Sequence, residues 1–115
     1  MKFFPAALIA LCLAAPARAD TATLEDLIWT GKTDQVVQAM RQDPTLVNAK
    51  QGGFTPLHLV SMNGNQALAQ FLLENGAEVN ALDFEGYSPL VRAKANGNEA
   101  IAKLLIEHGG KELEP

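Results

Sequence analysis

The sequence predicts an all-α solenoid of about three helix-turn-helix repeats, joined by hairpin-like finger loops. Three observations carry that prediction. Gly53-Phe54-Thr55-Pro56-Leu57-His58 returns 33 residues later as Gly86-Tyr87-Ser88-Pro89-Leu90-Val91. Laying Gly53–Glu78 over Gly86–Lys111 without a gap gives 11 identities in 26 positions, and most other pairs are conservative, such as Leu68/Ile101 and Leu73/Ile106. A fixed period of about 20 to 50 residues marks stacked supersecondary units. The hexapeptide itself spells a turn into a helix. Glycine supplies positive φ, Thr or Ser offers a side-chain oxygen as N-cap, and Pro fits the first helical position. Leu57 and Leu90 then begin the buried face.

The first nineteen residues are set apart from this pattern. Met1-Lys2 is a charged start, Phe3 to Ala15 is an apolar run broken only by Pro5, and Pro16-Ala17-Arg18-Ala19 ends in a small-x-small cleavage pattern. Such a run is too short to span a bilayer, which takes about 20 residues. Residues 1–19 therefore read as an export signal cleaved after Ala19, with a buried core helix as the alternative. The single cysteine, Cys12, lies inside that segment. Acylation of Cys12 is disfavoured by the bulky Leu11 before it. An exported chain of this size that keeps no cysteine suits a bacterial periplasm. Cleavage removes Lys2 and Arg18, leaving 7 basic against 13 acidic residues, a net charge of −6. An acidic surface repels phosphate backbones, so neither nucleic-acid binding nor docking on anionic lipid is expected. With the apolar run too short to span, no stable membrane insertion is expected either.

The remaining chain, 20–115, divides into repeats of about 20–49, 50–82 and 83–115. In the first, Thr23 caps a helix with Asp26 at the capping-box position, and Leu24, Leu27 and Ile28 share a face. Gly31 ends that helix, Thr33 caps a second, and Asp43-Pro44 closes it. No Thr-Pro-Leu-His precedes this pair, as befits an atypical terminal repeat. In the second, a helix from about Pro56 to Asn63 turns at Gly64-Asn65 into another ending near Asn75. Ala67, Leu68, Phe71 and Leu72 point inward, with Gly76 as C-cap. Asn80 to Tyr87 forms a finger to the third repeat, where Pro89–Asn96 and Asn98–His108 repeat the pair. Lys50 stands where the third repeat has Asp83, which predicts a looser tip at Lys50–Gly53. The polar tail Lys111–Pro115 ends the array with a wet face.

Thr55-Pro56-Leu57-His58, Asn63-Gly64-Asn65, Phe71-Leu72-Leu73, Gly76-Ala77 and Val79-Asn80-Ala81 hold several independent anchors at fixed spacing. Together they make the stretch from about Leu24 to Lys111 resemble an ankyrin repeat protein. The resemblance implies that His58 is a structural linker bonding between neighbouring turns, a bond that Val91 cannot repeat. It also implies a concave side, built from finger tips and first helices, that holds a protein partner. The corresponding finger residues are Gln51, Gly52, Phe54, Phe84, Glu85 and Tyr87. The first helices contribute Trp29, Thr30, Met62, Asn63, Ala95 and Asn96. Trp29, Met62 and Ala95 fall 33 residues apart and are expected to stack in a row. Aromatic and Met residues gathered on one face are what an interface core uses, so Trp29, Gln51, Phe54, Met62, Phe84, Glu85 and Tyr87 are the candidate partner-binding set. For Trp29, Phe54 and Tyr87 the competing reading is packing against neighbouring turns.

Chemistry finds little to stand on. His58 and His108 have no carboxylate cluster at metal-ligand spacing, and the glycines fall at turns rather than in a phosphate loop. No enzyme activity, cofactor or metal is expected. His108 suits the end of a helix, where it can bond the last carbonyls. The expected function is a periplasmic, non-catalytic protein-interaction module, monomeric when unbound. The rival is a neutraliser of a toxin or enzyme in the same compartment. Catalysis through His58, or a purely structural or membrane-tethered role, ranks below both.

Overall fold

A computed structural model describes residues 23–115. The segment read as an export signal, its cleavage site and Cys12 lie outside the described residues. Among the described residues six α-helices follow in order: α1 Leu24–Trp29, α2 Thr33–Gln42, α3 Pro56–Asn63, α4 Gln66–Glu74, α5 Pro89–Ala95 and α6 Glu99–Glu107. A 3₁₀ turn, Pro44–Asn48, follows α2. Each odd helix pairs with the next even one as an antiparallel hairpin. The first helices α1, α3 and α5 pack in one row and the second helices α2, α4 and α6 in another. This is an all-α ankyrin-type solenoid, built from the local signals that the sequence carries.

The capping box at Thr23 forms with Asp26, and Thr55 caps α3 through its hydroxyl. Leu57 and Leu90 are buried, and with Ile28, Leu68, Leu72, Ile101 and Leu105 they belong to one continuous core. Inter-repeat hydrogen bonds come from a ladder of asparagines. Asn48 donates to the Gly76 carbonyl and accepts from the Glu78 amide, at 3.0 and 2.8 Å. One repeat on, Asn80 does the same with Gly109 and Lys111, at 3.1 and 2.8 Å. Asn63 donates to the Ile28 carbonyl and Asn98 to that of Ser61. The Asn63 and Asn98 bonds are partly buried and close carbonyls near helix ends, while the Asn48 and Asn80 bonds tie neighbouring repeats at the surface.

Four local expectations need correction. Thr33 is the first residue of α2 rather than its cap; its hydroxyl instead accepts from Asn65 at 2.7 Å, tying the first repeat to the second. Ala67 is exposed and Phe71 half-buried, and the inward face of α4 runs through Leu68, Ala69, Leu72 and Leu73. A helix has 3.6 residues per turn, so the inward stripe sits one residue further round than expected. Ser88 makes no side-chain cap to α5. Its hydroxyl turns away, donating to the Lys111 carbonyl at 2.6 Å and accepting from the Leu113 amide at 3.1 Å, while the Ser88 amide donates to the Leu113 carbonyl. The tail is thus fastened along the third repeat, while Lys111, Glu112, Glu114 and Pro115 stay exposed as the wet end that was expected.

Candidate functional site

The second finger is closed by its own backbone. Gln51 and Phe54 exchange both amide–carbonyl bonds, at 2.7 and 3.2 Å, around Gly52-Gly53. The tip expected to be loose for want of an acid at Lys50 is therefore a closed turn. Gly53 has φ of 90°, and a Cβ built there would lie 2.9 Å from the Phe84 side chain. Only glycine fits, and its absent side chain lets the Phe84 amide reach the Gly53 carbonyl at 3.0 Å. One finger is hydrogen-bonded to the next at that point.

The third finger has backbone bonds of its own, from the Asp83 amide to the Tyr87 carbonyl at 3.0 Å and from the Gly86 amide to the Asp83 carbonyl at 2.9 Å, and adds charge to them. One Asp83 oxygen accepts from the Glu85 and Tyr87 amides at 2.9 and 3.0 Å, and the other accepts from Arg92 Nε at 2.6 Å. Burial alone would raise the Asp83 pKa, but the Arg92 bond and the two amides outweigh it and hold the carboxyl below its ordinary value of 3.8. Hydrogen bonding to Asp83 and Glu85 likewise pushes the Arg92 guanidinium up. Arg92 also bonds Glu85 at 2.7 Å and lies over two rings, 5.4 Å from the centre of Phe54 and 4.7 Å from that of Tyr87. Such stacking is within cation–π range. Phe84 completes the group, edge-on to Phe54 with ring centres 5.3 Å apart.

His58 supports this cluster from beneath. It is fully buried, with Nδ1 2.7 Å from the Thr55 hydroxyl and 3.3 Å from the Thr55 amide. Nε2 lies 2.8 Å from the Tyr87 carbonyl. A carbonyl can only accept, so the proton belongs on Nε2, and Nδ1 is free to accept from Thr55. The neutral ring therefore satisfies every group around it. Burial pushes the His58 pKa below its ordinary 6.5, against the upward pull of the Tyr87 carbonyl. His58 thus takes the place in the frame that the resemblance implied, linking one helix N-terminus to the next finger.

The candidate residues fall into two groups. Phe54, Glu85 and Tyr87 meet Arg92 at the finger end of the first helices, with Phe84 packed on Phe54 and Gln51 paired to the Phe54 backbone. Phe84 is the outstanding member, 66% exposed, whereas Phe54 and Tyr87 are half-buried props beneath it. The packing reading of these two rings is met on one side, where each lies against the Arg92 guanidinium, and each stays partly exposed on the other. Trp29, 46% exposed, and the half-buried Met62 stand instead at the far ends of α1 and α3. An eight-residue helix is about 12 Å long, so Met62 stands well away from Phe54. Ala95 is exposed at the matching end of α5. The polar residues grouped with them are engaged internally: Thr30 bonds the Asp26 carbonyl, Asn63 that of Ile28 and Asn96 that of Arg92.

Arg92 was not among the expected residues, although it organises the cluster. Its signal in the sequence is a substitution within the repeat frame. The matching position in the second repeat is Leu59, fully buried, and a base there faces the acid Asp83 earlier in the same repeat. Among the described residues, no group of three or more His, Cys, Asp or Glu is placed to hold a metal, and no helix is long and apolar enough to cross a membrane. His108 Nδ1 lies 3.0 Å from the Leu104 carbonyl at the end of α6, a helix-end contact.

A family described as ankyrin repeats, in three copies, matches residues 11–114. Comparison with curated proteins gives no match.

Proposed function

The chain belongs to the ankyrin repeat family, and from that premise we propose that its finger face binds a protein partner in the periplasm after export through a cleaved signal at residues 1–19. Ankyrin repeats generally mediate protein–protein interaction and are typically non-catalytic. The observation that carries the reading is Phe84. A large apolar ring, 66% exposed, is held at a fixed place by its bond to Gly53, by Phe54 and by the Arg92 network beneath it. A free aromatic would be buried or mobile; one fixed in the open is pre-organised for a complementary pocket, which lowers the ordering cost of association. Gln51, Glu85 and Tyr87 form the rim around it, and Trp29 and Met62 extend the same row of first helices.

Affinity capture of the tagged protein from envelope extract of its source cell tests this. One dominant protein, retained by the natural chain and lost by Phe84→Ala and Tyr87→Ala variants that still melt cooperatively, supports it. Equal capture by both forms would refute it.

The rival reading, a neutraliser of a toxin or enzyme in that compartment, draws support from the exposed Glu85 carboxylate beside Phe84 and from the acidic net charge. Arg92 is already paired with two carboxylates, so it offers little to an anionic partner. A basic partner held this way would lose affinity steeply as salt rises. An apolar anchor alone would be nearly insensitive.

A further inference from the structure

Within the 33-residue frame, Met40 on α2, Leu73 on α4 and Ile106 on α6 occupy one position. The first two have a following second helix packed against their own, and they are 2% and 9% exposed. Among the described residues Ile106 has no such successor, and it is 54% exposed. The tail does not replace that successor: it bonds Ser88 and Asn80, and Glu112 pairs with Lys94, all on the α5 and finger side. What stays open is a groove of about 600 Å³ bounded by Lys94, Gly97 and the outward stripe of α6, which reads Glu99, Ala102, Lys103, Ile106 and Glu107. At the other end, the stripe of α2 carries Asp34, Gln38 and Arg41 around Val37. That is the polar outer face of a capping repeat.

We propose that this face is a self-association surface, on which α6 packs antiparallel against α6 of a second copy about a two-fold axis. Charge complementarity selects the occupant. With the axis near Leu105, Lys103 of each copy faces Glu107 of the other, and the two Ile106 side chains fill the grooves between. The groove lining holds two bases and two acids, with Glu112 paired to Lys94 at its edge, so it is close to neutral on a chain of net charge −4. Two acidic chains can meet there without the repulsion that the rest of their surfaces would impose. Stacking α6 on the α2 end of another copy would set Ile106 against a polar face and would leave the assembly open, whereas the two-fold pair closes on itself. The small side chain of Ala102 allows close approach of the helices. On this proposal the free chain forms a weak pair where the sequence led us to expect a monomer.

Sedimentation equilibrium of the protein as isolated from the cell, followed by dilution, tests the pairing. A contact of one helix and one groove per copy belongs to the weak class of interfaces, with Kd on the order of 0.1 mM. The expected result is a monomer–dimer equilibrium that weakens more than about tenfold in Ile106→Asp and in Lys103→Glu, and returns in Lys103→Glu combined with Glu107→Lys. These side chains are exposed, so the variants should keep the natural melting profile. Phe84→Ala should dimerise normally, which separates this surface from the finger face. A monomer at all concentrations up to about 1 mM, a dimer untouched by both single variants, species that grow beyond the dimer, or a double variant that fails to recover would each overturn the pairing. A monomer that binds another repeat protein through this face would do the same.

Discussion

The second and third repeats carry nearly the same hexapeptide and close it by different means. In the second, His58 joins the Thr55 cap to the Tyr87 carbonyl of the following repeat. In the third, Val91 cannot make that link, and Ser88 bonds the tail instead while Asp83 and Arg92 close the finger. An interior repeat is completed by its neighbour. The third repeat has no following repeat among the described residues, and there its own tail and a local ion pair take over. The His58 link works only where a following finger exists to meet it, and Val91 and Ser88 mark the place where the chain substitutes something else.

The largest test of this contrast is in the shared core. Leu57→Ala should cost about 2–5 kcal/mol by emptying a site flanked by repeats on both sides. Leu90→Ala, covered on one side only by the tail, should lie at the lower end of that range. Chemical denaturation that reverses this order would break the comparison. Asp83→Ala should cost about 2–4 kcal/mol, because it strands the half-buried Arg92 and two amides at once. Arg92→Leu, restoring the apolar residue of the second repeat, should partly rescue it. His58→Ala should cost about 2–3 kcal/mol through the unpaired Tyr87 carbonyl and Thr55 groups. Ser88→Ala should cost only about 1 kcal/mol, since the Ser88 amide keeps its bond to Leu113.

The smallest effect is in pH. The folded state holds His58 below 6.5, so the unfolded chain binds the proton more readily. Stability contributed by the neutral ring is therefore complete above about pH 6.5 and falls as pH drops through the folded value. Asp83 follows the same sign at lower pH, its contribution being lost as pH falls below 3.8 through its own folded value. Melting temperatures between about pH 7 and 5 should decline more for the natural protein than for His58→Ala, each referred to its own value at pH 7.

The helices were legible because their signals are local. Thr23 with Asp26, Pro56 and Pro89 at helix starts, and Gly64 between α3 and α4 each act through neighbouring residues. The ankyrin frame supplied the long-range pairing that local signals lack, including His58 to the next finger. What escaped the sequence were contacts set by three-dimensional closure. Arg92 lies nine residues from Asp83 and Ser88 lies 25 from Leu113, and no periodic pattern links either pair. The candidate face was readable as a set of residues, but not its division into a finger cluster and a row of helix ends. That division follows from the length of α3.

The most direct measurement of the central claim is hydrogen exchange on the free protein and on its complex with the captured partner. The finger account predicts that protection rises at Gln51–Phe54 and at Asp83–Tyr87, with little change along α2 and α4. Protection gained only on the second helices, with the fingers exchanging as before, would contradict it.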